Sequence, residues 1–247
     1  MRLLFVLLLV GFSAAAQKIP LELRIDSVTA DDSNPVARQF VVKYHLTNLT
    51  DRKLYVVIDS SELITSTRAS LSPRPYYKIY QKDEFIEVDD ILSNQLDFSL
   101  HHQTNAVEQT AEEKEQMLKK HLKESMDIDV DSARAAYAVS EEKGLEYVAK
   151  KHRKAVAKML MELKPKETRE FSKTLYWNRN RYYSYEENEY YLEEHEPYFI
   201  DLTLVLMNER VHSALTEDEF LKVEKDNGLV EGVFTSNRVG IDLGNKK

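Results

Sequence analysis

The chain has 247 residues, a formal net charge of −8, 43% hydrophobic residues and no cysteine. The apolar share supports a real core, and the acidic balance disfavours a nucleic-acid partner. The missing thiols exclude disulfide staples, thiolate metal centres and cysteine nucleophiles, so a domain of this length must rely on packing.

Residues 1–16 have the form of a secretory signal peptide. Arg2 supplies a positive start, residues 3–12 are apolar, and Ala14, Ala15 and Ala16 place small residues ahead of Gln17. The expectation is an exported protein, periplasmic or extracellular, and, with no cysteine, of bacterial type. No later apolar run approaches the roughly 20 residues of a membrane helix, so no membrane-spanning segment is expected in the mature protein.

Residues 17–105 read as strands. Leu21, Leu23 and Ile25 alternate with Glu22 and Arg24, and Phe40, Val42, Tyr44 and Leu46 repeat that period of two. The run Leu54, Tyr55, Val56, Val57, Ile58 is apolar on both faces and is expected to be a central strand. Between the last two lies Asn48-Leu49-Thr50, which fits both an N-glycosylation acceptor and a polar turn. Tyr76–Tyr80 and Phe85–Val88 follow as a pair across Lys82, Asp83 and Glu84.

Residues 106–164 change to a helical period. Leu118, Leu122 and Met126 mark a first helix, and Asp131 or Ser132 caps a second. Ser140 opens the third, whose stripe of Leu145, Val148, Ala149, His152, Val156, Met159, Leu160 and Leu163 is expected to dock it on the domain before Pro165 ends it. Lys150, Lys151, Arg153, Lys154 and Lys158 lie away from that stripe, as a solvated basic face or an anionic-surface binder.

Residues 165–247 return to strands. Phe171, Leu175 and Trp177 share a face, and Ile200, Leu202, Leu204 and Leu206 form the cleanest core strand. Thr216 opens a short helix with a capping box through Glu219, Gly228 stops it, and a strand pair follows from Leu229 to Leu243. The whole reads as mainly β with an α insertion: an immunoglobulin-like β-sandwich of about eight strands interrupted by helices.

No catalytic, cofactor or metal motif emerges. Asp127, Asp129 and Asp131 have the alternation of a calcium loop, but Ser132 and Ala138 stand where glycine and a bidentate glutamate are needed. His152 has no ligand partner one helical turn away, and neither His101-His102 nor Glu194-His195-Glu196 has metal spacing. Six glycines form no phosphate loop and no nucleophile elbow.

The candidate binding surface is the tyrosine-rich stretch after Trp177, with Tyr182, Tyr183, Tyr185, Tyr190 and Tyr191 set among glutamates. Tyrosine suits protein interfaces and sugar platforms alike. The expected function is a secreted, non-catalytic binding or assembly module with a protein or peptide partner. The alternatives are a carbohydrate-binding module whose tyrosines stack on a glycan, and an extracytoplasmic hydrolase.

Overall fold

The computed structural model describes residues 19–34, 37–66, 73–86, 92–94, 110–178, 183–185, 188–190, 196–207, 215–225 and 228–241. Within them the fold is mostly β, built from curled antiparallel sheets with a few helices. The strands are β1 (Leu21–Asp31), β2 (Ala37–Asn48), β3 (Leu54–Val57), β4 (Ile64–Thr65), β5 (Tyr76–Gln81), β6 (Glu84–Phe85) and β7 (Leu92–Ser93), then β8 (Leu160–Leu163), β9 (Thr168–Asn178), β10 (Tyr183–Tyr185), β11 (Asn188–Tyr190), β12 (Tyr198–Leu206), β13 (Gly232–Thr235) and β14 (Val239–Ile241). Helices α1 (Ala111–Met126), α2 (Val130–Val139) and α3 (Glu141–Met159) separate β7 from β8, and α4 (Glu217–Lys225) precedes β13.

One sheet has the order β1-β2-β9-β7 and the other β13-β12-β5-β4, with β14 also on β12 and β6 on β5. Both sheets therefore combine strands from before and after the helices. Their facing sides share one core. Leu21, Leu23, Ile25, Phe40, Val42, Tyr44 and Leu46 come from β1 and β2, Leu175 and Trp177 from β9, and Tyr198, Ile200, Leu202 and Leu204 from β12. This is the burial that the period-two alternation predicts.

Asn48 holds one corner. It is 0% exposed, and its Nδ2 reaches the carbonyls of Arg52, Leu163 and Lys164 while its Oδ1 accepts from the Thr50 N–H and hydroxyl. One side chain thus ties the β2–β3 turn to the β8–β9 turn. An Nδ2 committed to three carbonyls leaves no place for a glycan, so the Asn48-Leu49-Thr50 sequence acts as a turn.

Several expectations need correction, among them the cap of α2, which is Asp129 and not Asp131 or Ser132. Leu160 and Leu163 continue the helical period on paper, but α3 ends at Met159 and residues 160–163 form β8 on β3. The cause is β3, whose apolar residues need a partner strand; the Ile58 N–H already bonds the Met159 carbonyl as the two chains meet. β3 is not central in a large sheet either, since among the described residues its strand partners are β8 and, through a bridge at Tyr55, Leu229. Finally, β13 and β14 do not pair with each other: both lie along β12.

The helices pack lightly on the sheets. Of the α3 stripe, Val156 is buried whereas Leu145 is 56% exposed, because the helix is anchored at its C-terminal end, where it runs into β8. Its N-terminal half packs on α2, with the Tyr137 ring so close to Gly144 that a Cβ there would lie 2.2 Å from it. The aspartate run serves these helices. Asp127 closes α1 in a left-handed conformation (φ 54°) and bonds Lys123 and Lys151, Asp129 caps α2 through the Ser132 N–H, and Asp131 faces Lys119. The two lysines hold the Asp127 carboxyl well below the usual range. Each carboxylate thus has a structural partner.

Candidate functional site

The aromatic stretch divides. Trp177 is in the core, 3% exposed, with Arg38 and Leu92 as its neighbours in register. Arg38 is buried beside it and grips Asp32 through both Nε and Nη2. Trp177 therefore belongs to the interior and offers no surface for a ligand. Tyr183, Tyr185 and Tyr190 lie in a hairpin of β10 and β11, where Tyr183 is opposite Tyr190 and Tyr185 opposite Asn188. Tyr182 and Tyr191 fall outside the described residues, as do His101, His102, Glu194 and His195.

The structure instead opens a groove between the two sheets. β1 is the edge strand of its sheet and β13 the edge strand of the other. Antiparallel pairing directs alternate backbone groups to opposite sides of a strand. The Asn48 N–H bonds Glu167 on the β9 side, so its partner Leu21 points its own N–H and C=O away from β2. By the same parity Leu23 and Ile25 face outward. At Ile25 those groups are filled: Asn237 Oδ1 accepts from the Ile25 N–H at 2.8 Å and its Nδ2 donates to the Ile25 carbonyl at 3.1 Å. At Leu21 and Leu23 no backbone partner is present among the described residues.

The opposite wall repeats the pattern. The Ser236 N–H bonds the Leu202 carbonyl, so Phe234 and Gly232 face β12 while Val233 and Thr235 direct their backbone groups outward. Gly232 has φ +134°, a conformation that L side chains rarely adopt. At Gly228, a Cβ would lie 2.6 Å from the Lys53 carbonyl, so glycine allows the chain to pass close to β3. There the Tyr55 N–H bonds the Gly228 carbonyl and the Val230 N–H bonds the Tyr55 carbonyl.

Between these walls lies a cavity of about 760 Å³ lined by residues 19–24, by Leu49, Thr50, Arg52 and Leu54, and by residues 229–237. That volume lies within the roughly 300–1,000 Å³ typical of ligand sites. Its rim exposes two apolar side chains, Ile19 at 66% and Val233 at 67%. Glu22, Arg24, Arg52 and Glu231 add charges of both signs.

The sequence carried one signal for this site. Alternation holds through Leu21, Leu23 and Ile25 and then slips to Val28, where the register with β2 shifts between Ile25 and Ser27. A slipped phase marks a bulge, and the bulge sits where Asn237 takes over the edge. Asn237 itself had no local signal, being 212 residues from Ile25.

Two other polar clusters frame the molecule. A cleft of about 410 Å³ under α3 includes Asp59, Arg74, Asp127, Lys154 and Lys158. Burial raises the Asp59 carboxyl, but hydrogen bonds from Arg74 and Ser61 outweigh it and leave it below the usual range. Arg74 also bonds Glu62, so these charges are spent on holding the loop to β5. On the outer face of β12, Asp201 is 5% exposed, and Arg238 lies 3.6 Å from the centre of the Tyr80 ring. Burial pushes the Asp201 carboxyl up, and the Tyr80 hydroxyl that donates to it only partly offsets this. Its Oδ1 has no partner among the described residues.

Among the described residues no three His, Asp or Glu side chains gather as a metal site, and no helix is long and apolar enough to cross a membrane. No family model matches the chain, and neither a curated protein nor a solved structure does so.

Proposed function

We propose that this chain is an exported, non-catalytic binding or assembly module that engages a protein partner at the β1–β13 groove. The observation that carries this is the meeting of two open sheet edges across one cavity of about 760 Å³. Exposed strand edges invite pairing, and proteins usually blunt them with charges, prolines or cover. Here Ile19 and Val233 expose apolar side chains at the rim, beside the charges of Glu22, Arg24, Arg52 and Glu231. The proposal includes an immunoglobulin-like sandwich, supported by two sheets, antiparallel apart from the β4–β5 pair, around a shared core, and export, supported by the apolar leader of residues 1–16.

The cysteine-free chain makes the test direct. Val233→Cys and Leu145→Cys each introduce a single thiol, one at the groove and one on the exposed side of α3. Peptides selected on the wild-type chain from a displayed library are expected to lose binding when a bulky maleimide occupies position 233, and to keep it when the label is at 145. Equal loss at both positions, or binding only to members of a soluble glycan panel, contradicts the groove as a protein-binding site.

A further inference from the structure

We infer that the two polar clefts on either side of Lys158 form a second docking surface, separate from the β1–β13 groove, whose occupant is an acidic segment of another protein. Charge is distributed unevenly there. From Tyr147 to Met161 the chain has five cations, Lys150, Lys151, Arg153, Lys154 and Lys158, and no carboxylate, although the whole chain carries −8. Lys119, Lys123, Arg134 and Lys151 in the helices each hold an aspartate or a glutamate. Lys150, Arg153, Lys154 and Lys158 hold none among the described residues. The negative end of the α3 dipole favours a cation in the last turn, which accounts for Lys158 alone.

The clefts concentrate that surplus. The smaller, of about 410 Å³, is lined by Lys154, Lys158, Asp59, Arg74 and Asp127, and the larger, of about 570 Å³, by Lys158, Lys164, Arg169, Glu162 and Glu167. Each of these carboxylates is already paired: Asp59 with Arg74, Asp127 with Lys123 and Lys151, Glu162 with Lys53, and Glu167 with Arg169. The two arginines are thereby engaged as well. What is left over is the exposed ammonium groups of Lys154, Lys158 and Lys164, so the surface has a positive charge that its own residues do not cancel.

The kind of charge selects the partner. Ammonium groups are point charges that suit carboxylates spread along a chain, whereas phosphate favours the guanidinium fork, and both forks here are occupied. Lys150, Lys154 and Lys158 follow one another at four-residue intervals, about 6 Å along the helix. Glutamates four apart on a partner helix have the same spacing, and alternate residues of an extended partner are about 7 Å apart. The clefts are also lined by part-buried Ala155, Met159 and Met161, against which the methylenes of such side chains can pack. A lipid surface would need exposed apolar side chains beside the lysines. Leu145, the exposed large apolar residue of α3, precedes Lys154 by about two and a half turns and so lies on the opposite side of the helix.

The test uses the chain without its leader and a fluorescent oligoglutamate peptide, in roughly 0.15 M salt, where exposed charges more than about 8 Å apart are screened from one another. Lys154→Gln combined with Lys158→Gln is expected to weaken binding about tenfold, while Lys154→Arg combined with Lys158→Arg retains it. Lys114→Gln combined with Lys120→Gln removes the same charge from α1, where neither lysine forms an ion pair among the described residues, and is expected to leave binding within about twofold. All four lysines are exposed, so the melting temperature is expected to stay unchanged in every variant. Equal weakening by the two glutamine pairs, or no binding of the peptide to the wild-type chain, overturns the assignment. Tighter binding of phosphatidylglycerol vesicles or of inorganic polyphosphate, lost with Lys154 and Lys158, would make the occupant a lipid surface or a phosphate polymer and overturn the protein partner.

Discussion

The two sheets meet along two seams, and the seams are closed differently. On the β5–β7 side, the Tyr77 hydroxyl donates to the Leu92 carbonyl at 2.7 Å, and Asn94 Nδ2 donates to the Leu63 carbonyl at 2.7 Å. On the β1–β13 side, Asn237 serves Ile25 alone and the edge beyond it stays open. Side-chain hydroxyls and amides can stand in for a missing strand where an edge must be shut. Where none stands in, as along Leu21 and Leu23, the backbone remains available to a partner.

The largest effect is expected at the corner beneath the open seam. Asn48→Ala removes a buried amide that serves two turns and should cost about 3 kcal/mol, since the buried Leu163 bond and the part-buried Arg52 and Lys164 bonds are lost together. Chemical denaturation reads this out; a loss below about 1 kcal/mol would mean that the corner is held by other contacts.

Breaking the shut seam comes next. Tyr77→Phe leaves the Leu92 carbonyl buried without its donor and should cost about 1–2 kcal/mol. Asn237→Ala should cost about 1 kcal/mol, its bonds being only part-buried, and should extend the open edge so that the Ile25 amide exchanges as fast as those of Leu21 and Leu23. Equal costs for Tyr77→Phe and Val233→Pro in stability would erase the contrast between the seams.

Asp201 gives a change of opposite sign. Its carboxyl is raised by burial, so the folded state holds its proton more tightly than the unfolded chain. The stabilising effect of that proton is present at low pH and lost as pH rises from the ordinary carboxylate value through the raised one. Asp201→Asn, which keeps an acceptor for Tyr80, is therefore expected to raise the melting temperature at pH 7, with the gain fading below about pH 4. A gain that persists at pH 3 would contradict the burial explanation. The smallest effect belongs to Val233→Pro, which removes an N–H that no described group accepts and should leave stability within about 0.5 kcal/mol.

Much of the sheet scaffold is legible in local pattern. Leu21 to Ile25, Phe40 to Leu46 and Ile200 to Leu206 alternate because one side of each strand faces the shared core. Residues 160–163 were not legible as a strand, since four residues that continue a long helical stripe cannot display a period of two. Trp177 was drawn to the surface by the tyrosines that follow it, although its place two residues after Leu175 already put it on the core side. The groove was the least legible part. The outward parity of Leu21 depends on Asn48 bonding Glu167, and the closure at Ile25 depends on Asn237 meeting a strand from the other end of the chain.

Amide hydrogen exchange of the free chain without its leader, followed by the same measurement with a selected peptide bound, tests the open edge most directly. The N–H groups of Leu21, Leu23, Val233 and Thr235 are expected to exchange rapidly in the free protein while Ile25 is protected by Asn237, and those under the peptide should slow when it is bound. Protection of Leu23 and Val233 in the free protein would show the edge already closed and would contradict the account.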